Sequence, residues 1–248
     1  MNLPYRLKKI AEMVPPSETI ADIGCDHAYV SIELVRSGKV RRALACDINK
    51  GPLNSAAQNI AGEGLSEKIE TRLSDGLREV KPHEADTVII AGMGGLLMER
   101  ILTGRLQDFN RFVLSPQSDI EHFRHFLIDN GMNIIEEEML IDEKKYYTII
   151  TAVPVKTTKA NPDETLPSCD DSLSQGKAGS FTPDETLDFY KNDEDFIYGG
   201  ILLRDKNETL LSFLQKEKLR YEGILEKTAN ETVRKSYEIC LKALEAYR

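Results

Sequence analysis

Apolar positions in the first 153 residues follow two alternating rhythms, short continuous runs and stripes at helical spacing. Leu3, Leu7, Ile10 and Met13 keep a helical stripe that Pro15-Pro16 ends, which predicts an opening helix. Short runs at Thr19–Ile23, Ala43–Asp47, Ile69–Leu73, Thr87–Ala91 and Phe112–Leu114 predict five strands. Helices are expected between them: Tyr29–Arg36 with Gly38 past its end, about Pro52–Ala61, one ending near Leu102, and one ending near Asn130-Gly131. Two later runs, about Asn133–Leu140 and Tyr146–Val153, are joined by Asp142-Glu143-Lys144-Lys145 and predict an antiparallel hairpin. Brief apolar strands alternating with helices make a parallel α/β sheet covered on both faces, here closed by the hairpin.

The last fifty residues follow another pattern. Leu210, Leu214, Tyr221 and Ile224 form one 4-3 stripe, interrupted once by Glu217, and Val233, Tyr237, Cys240, Leu244 and Tyr247 form a second. Asn230-Glu231 reads as the cap between them. Two matched stripes with a short connection predict a coiled-coil-like helical hairpin, either packed on the sheet domain or protruding from it.

Charge changes the picture between these two parts. The 248 residues carry 32 Lys and Arg against 41 Asp and Glu, a formal net charge of −9, which speaks against a polyanionic partner. Residues 136–195 alone hold 6 basic and 15 acidic groups, so this one stretch matches the whole deficit. Its core from Thr157 carries Pro162, Pro167 and Pro183 among polar residues and reads as a linker or long insertion. The expected organisation is residues 1–156 as one α/β domain, 157–195 as an acidic linker or insertion, and 196–248 as the helical hairpin. With the acidity assigned to the linker, the objection to a nucleic acid falls. No run approaches the ~18 apolar residues of a membrane helix, and the first residues lack the apolar core of a signal peptide, so a soluble cytoplasmic protein is expected.

Candidate chemistry gathers at the strand ends. Asp22-Ile23-Gly24-Cys25-Asp26-His27-Ala28-Tyr29 follows the first strand, where a glycine lets backbone approach a ligand. A pyrophosphate would require bare amides; Asp22 and Asp26 instead suit the ammonium and sulfonium of S-adenosyl-L-methionine. Asp47 ends the second strand, 23 residues after Gly24, where a carboxylate can accept both ribose hydroxyls. Asp75-Gly76 follows the third, placed for an adenine amino group, whereas Asp86 reads as a cap or a solvated charge. Gly92-Met93-Gly94-Gly95 follows the fourth, a turn open enough for a flat base or required by tight helix packing. The four cysteines contain no CxxC pair, and His122 and His125 have no further His or Cys near them, so no metal site is expected. For a polyanion, Arg6, Lys8 and Lys9 on the first helix and Arg36, Lys39, Arg41 and Arg42 before the second strand are the candidate basic groups.

Together D-I-G-C-D-H-A-Y (Asp22 to Tyr29), S-D-G-L (Ser74 to Leu77) and A-G-M-G-G (Ala91 to Gly95) resemble the bacterial tRNA (adenine-22, N1) methyltransferase family. Arg6-Leu7, Gly51-Pro52 and the K-x-Y-x-I-I stretch from Lys145 to Ile150 are also similar. The resemblance covers about Leu3 to Val153, then loosely Tyr198-Gly199 and the C-terminal helices. It implies a Rossmann-like class I methyltransferase sheet with a C-terminal helical hairpin. It also implies a cofactor site of Asp22, Gly24, Asp26, His27, Asp47, Asp75, Gly76 and Gly92. Met93 and Gly94 would border the target base beside Gly92, with His27 or Tyr29 as further candidates to orient it. One departure is Leu114-Ser115-Pro116-Gln117, where the family shows Leu-Gln-Pro-Asn; Gln117 is then the candidate to orient the adenine. Two other readings stay open on the residues: methylation of a small-molecule or protein amine, and a non-catalytic nucleic-acid-binding module.

Overall fold

A computed structural model describes residues 3–155 and 189–248. The first part builds α1 (Tyr5–Met13), β1 (Ser17–Ile23), α2 (Tyr29–Arg36), β2 (Val40–Asp47), α3 (Lys50–Gly62), β3 (Ile69–Leu73) and β4 (Thr87–Ala91). It continues with α4 (Gly95–Leu102), β5 (Arg111–Ser115), α5 (Ile120–Asp129), β6 (Met132–Asp142) and β7 (Lys145–Pro154). The seven strands form one sheet in the order β3-β2-β1-β4-β5-β7-β6. β1 to β5 are parallel, and β7 enters antiparallel between β5 and β6. The chain reverses direction across the sheet between β1 and β4, the place where α/β sheets hold ligands.

Alternation along each strand divides the core. Ala21, Ile23, Val88 and Ile90 face a layer with Met98 and Leu102 of α4 and Phe123 and Leu127 of α5. Ile20, Ala43, Ala45 and Ile89 face the opposite layer with Ile10 of α1, Ile32 and Val35 of α2 and Ile60 of α3. Most elements run one to three residues beyond the apolar pattern, and two of these extensions have a specific cause. β2 starts three residues early because Ser17 and Thr19 of β1 pair with Val40 and Arg42, and Arg41-Arg42 separates the buried Val40 from the apolar run that follows. α3 starts at Lys50 and takes Pro52 into its first turn, where amide hydrogens have no helical acceptor to lose.

Residues 156–188, most of the expected acidic linker, lie outside the described residues. The chain is again described from Phe189, and it returns directly onto the sheet domain. Tyr190 is buried in the α4/α5 layer, with Phe189 and Phe196 packed against it. Arg124 of α5 and Glu137 of β6 form a buried ion pair at 2.8 Å. The same guanidinium donates to the carbonyls of Phe196 and Ile197 at 2.8 and 3.0 Å, clamping a π-helical turn (Asp195–Gly199) to the sheet. Gly199 has φ +104°, and a Cβ there would lie 2.6 Å from Glu137 Oε2, so the turn needs glycine on both counts.

A short helix α6 (Gly200–Arg204) leads into α7 (Glu208–Leu225) and α8 (Glu231–Glu245). Asn207 and Asn230 cap them by accepting from Leu210 N and Val233 N at 3.0 and 3.1 Å. The base of this hairpin packs on β6: Leu202, Leu203, Leu210, Leu214, Cys240 and Ala243 surround Met139. No side chain from 215 to 239 is buried, so the pair is anchored at its base and exposed toward its tip. Among the described residues no helix is long and apolar enough to cross a membrane, and no cluster of His, Cys, Asp and Glu could hold a metal ion.

Candidate active site

The turn after β1 is built from three left-handed residues, Gly24 (φ +73°), Asp26 (φ +51°) and Ala28 (φ +59°). Aspartate tolerates that region through its short polar side chain, whereas an alanine there costs about 1–2 kcal/mol. Strain of this kind persists where the surroundings over-determine it. Gly24 N and Cys25 N both donate to Cys46 O at 2.8 and 2.9 Å, which ties the turn to the end of β2. Ala28 N donates to Cys25 O at 2.7 Å and starts α2.

The turn places Asp22 at the floor of a cavity of about 300 Å³ whose wall includes Arg6, Asp26, Tyr29, Gly92 and Gln117. Asp22 is buried and accepts from Ser31 Oγ at 2.8 Å. Burial pushes its carboxyl up to about 6, and the neighbouring charge of Asp47 adds to the rise, against the Ser31 hydrogen bonds. Burial likewise pushes the Cys25 and Cys46 thiols up, so both are inert packing groups. Asp26 stands at the rim, 71% exposed, with Oδ1 3.6 Å from His27 Nε2.

Arg6 is the residue that the sequence placed elsewhere. On charge alone it is a candidate for the RNA backbone, but its guanidinium lines this cavity, 5.0 Å from the centre of the Tyr147 ring. Its Nη1 is buried without a hydrogen-bond partner. A charged donor left in that state costs free energy until an acceptor arrives. Arg6 is the single cation among the residues lining the cavity, which also holds the carboxylates of Asp22 and Asp26.

The other expected residues divide into groups. Asp47 is buried at the end of the adjacent strand and accepts from Asn49 N at 2.9 Å. Ile48 beside it is 59% exposed, an apolar surface at a strand end that no sequence pattern marked. Asp75 lies apart from the cavity, in a hollow of about 480 Å³ shared with Arg78, Arg100 and Arg105. Gly76 (φ +61°) abuts α4, since a Cβ would lie 2.9 Å from Ile101. His27 stands outside the cavity wall and stacks on Tyr29 at 5.3 Å.

In the turn after β4, Gly92 has φ +84° and faces the tips of Gln117 and Arg6 at ordinary contact distance. Gln117 is held there by its own N–H, which donates to Met93 O at 2.9 Å. Met93 lies over the β1 turn, its methyl 2.3 Å from where a Gly24 Cβ would be. Gly94 and Gly95 are small for packing: Cβ atoms would lie 2.7 Å from Ser118 Oγ and 2.8 Å from Ser118 O. Of the two explanations for this glycine turn, an open approach therefore fits Gly92, and tight packing fits Gly94 and Gly95. His122 pairs with Glu99 at 2.8 Å, and His125 stacks on Phe196. Asp86 caps the start of β1 by accepting from Glu18 N and Thr19 N.

The family described as Methyltransferase domain matches residues 3–150. The Bacillus subtilis tRNA (adenine(22)-N(1))-methyltransferase is 36% identical over 155 residues, 61% of this chain and 65% of that protein. The matched stretch thus spans just under two thirds of that relative. The solved structure of the B. subtilis tRNA methyltransferase TrmK aligns with a TM-score of 0.72 at 27% identity, covering 99% of this chain and 97% of the other. M. capricolum TrmK, in complex with the cofactor product S-adenosyl-homocysteine, aligns with a TM-score of 0.76 at 25% identity and covers 99% of each chain. A sheet of this strand order, a carboxylate-lined cavity at its switch point and the match over residues 3–150 lead to one assignment: this chain belongs to the methyltransferase domain family.

Proposed function

We propose that the protein transfers a methyl group from S-adenosyl-L-methionine to N1 of adenine 22 in tRNA, working as a soluble cytoplasmic enzyme without a metal. The observation that carries the cofactor is the charge pattern of the cavity, two carboxylates and one buried guanidinium nitrogen that lacks an acceptor lining the same space. That is the complement of a zwitterionic amino-acid end. The substrate rests on the B. subtilis relative, whose name specifies adenine 22 of tRNA. In this reading residues 1–156 are the cofactor-binding domain, 157–195 an acidic connection whose last residues from Phe189 pack onto that domain, and 196–248 the segment that carries the helical hairpin.

Asp22 and Asp26 would hold the ammonium of S-adenosyl-L-methionine, and Arg6 its carboxylate. Gly24 keeps backbone rather than a side chain against it. Asp47 would take the ribose hydroxyls, Ile48 one face of the adenine ring, and Asp75 with Gly76 the exocyclic amine. When bound, S-adenosyl-L-methionine supplies a methyl on a positively charged sulfur, which leaves as a neutral thioether.

The protein's own work is then alignment and exclusion of water. Adenine N1 carries a free lone pair at neutral pH, so no strong general base is required. Gln117 and the Gly92-Met93-Gly94 turn border the place where the base would enter, and the stacked His27–Tyr29 pair lies beside it. The Gln117 amide can both donate to and accept from the base edge. Its oxygen and the carboxylate of Asp26 would offset the positive charge that the ring acquires on methylation. A base in a paired stem must first be flipped out, at a cost of a few kcal/mol.

The test is methyl transfer from labelled cofactor in parallel reactions with unmodified tRNA, small amines and proteins. Label confined to the RNA is expected. Label in an amine or protein with none in RNA would replace this reading with the amine methyltransferase. Failure to bind S-adenosyl-homocysteine in calorimetry would leave only the non-catalytic module.

A further inference from the structure

The basic groups that the sequence offered to an RNA are largely committed within the fold. Arg36 pairs with Glu33, Arg41 with Glu18, and Lys9 with Glu12. Lys39 Nζ donates to the carbonyls of Ala11 and Glu12 at 2.9 and 2.7 Å, tying α1 to β2. Arg42 shares its hollow with Glu67, Glu70 and Glu84. Arg41 and Arg42 also stand at the amino end of β2, five to six residues before Asp47. At about 3.3 Å per residue that is roughly 17–20 Å from the active-site end of the sheet.

The opposite holds in the hollow that Asp75 lines. The hollow between the β3–β4 connection and α4 is lined by three guanidiniums, Arg78, Arg100 and Arg105, and one carboxylate, Asp75. It is a basic site on a chain of net charge −9. Arg105 is the fixed member: it pairs with Asp108 and donates to Leu77 O and Val80 O at 2.7 and 2.8 Å. Arg78 and Arg100 are exposed, and among the described residues neither guanidinium has a hydrogen bond or an ion pair. The nearest acid in sequence to Arg100, Glu99, is bound to His122.

Exposed apolar side chains stand on α4 between the glycine turn and this hollow. Leu96 and Leu97, 56% and 38% exposed, begin α4 directly after the glycine turn that borders the cavity. They precede Arg100 by four and three residues, which puts all three side chains on one face of the helix.

We propose that this face of α4 together with Arg78 forms the docking surface for the RNA backbone. The ribose next to the target base lies against Leu96 and Leu97, and neighbouring phosphates are held by Arg78 and Arg100. This inference rests on the tRNA reading above and adds where the RNA lies. Guanidinium forks suit phosphate oxygens, and two unpaired ones beside exposed apolar surface match a nucleotide strand that leaves a cavity with its base inside.

The experiment measures binding of unmodified tRNA between 50 and 200 mM salt for the wild type, R78A/R100A and a control, R41A/R42A. Each phosphate contact contributes about 0.7–0.9 to the slope of log affinity against log salt. The Arg78/Arg100 variant is expected to lose about 1.4–1.8 from that slope and to bind about tenfold or more weakly at low salt. Its affinity for S-adenosyl-homocysteine, measured by calorimetry, should stay unchanged, which shows that it is folded. The control should keep the wild-type slope. Equal slopes for wild type and R78A/R100A, or a loss confined to R41A/R42A, would overturn the docking surface while leaving the tRNA reading intact. A wild type that binds no tRNA overturns both.

Discussion

Asp22 makes the cofactor site a source of instability in the empty protein, and the effect can be measured. Its carboxyl is raised from 3.8 to about 6 because burial opposes the charged form more than Ser31 supports it. At about 1.36 kcal/mol per pH unit, that rise puts the cost of an ionised Asp22 in the fold at about 3 kcal/mol. Below pH 4 both folded and unfolded chains hold the proton, and Asp22 contributes nothing. Between pH 4 and 6 the unfolded chain releases a proton that the folded one retains, so stability falls as pH rises and then levels off. Asn is nearly isosteric, stays neutral and can still accept from Ser31. Asp22→Asn should therefore raise the melting temperature of the ligand-free protein at pH 8. At about 2–4 °C per kcal/mol for a chain of this size, the rise is about 6–12 °C. The difference should close as pH approaches 4. The same variant should lose the stabilisation by S-adenosyl-homocysteine, which for the wild type is about 2.7 kcal/mol at a hundred times Kd. Thermal melts of both proteins from pH 4 to 8, with and without ligand, measure all of this. A variant less stable than wild type at pH 8, or a difference independent of pH, would refute the reasoning.

Two further changes separate binding from folding. Arg6→Met should weaken S-adenosyl-homocysteine in calorimetry by about 10- to 100-fold, the loss of a charge-assisted hydrogen bond of about 1.5–3 kcal/mol. Binding of 5′-methylthioadenosine, which lacks the amino-acid end, should barely change; an equal loss for both ligands would remove Arg6 from the carboxylate. Arg124→Met leaves Glu137 buried without its partner and should destabilise the protein by about 3–5 kcal/mol in denaturant unfolding. Adding Glu137→Leu should recover most of that loss, and a double variant as unstable as the single one would show that the pair has no special role.

Most of the sheet was legible because its strands are buried on both faces and read as continuous apolar runs, bounded by the glycines and aspartates of the strand-end turns. The start of β2 escaped because Arg41 and Arg42 are polar and only their pairing with β1 makes them strand. The return of the chain onto the sheet escaped for a related reason. Tyr190 and Phe196 lie among acidic residues with no periodicity, and the ion pair that clamps them joins residues 13 apart in sequence. At the site, residue type and strand end marked Asp22, Gly24, Asp26 and Gly92 as candidates, and the structure gathers them around one cavity with Gln117. Charge alone misdirected the reading of Arg6. A basic residue on a first helix resembles any solvated arginine, and only packing against Tyr147 turns it inward. Arg78 and Arg100 carried no signal at all, because 22 residues separate two side chains that share one hollow.

The central claim is a methyl group placed on one nitrogen of one nucleotide. Its most direct test incubates the protein with labelled S-adenosyl-L-methionine and two unmodified tRNA transcripts, one with adenine at position 22 and one with guanine there, followed by nuclease digestion and chromatography of the nucleosides. Label in N1-methyladenosine from the adenine transcript alone is the predicted result. Equal label in both transcripts, or none in either, would contradict it.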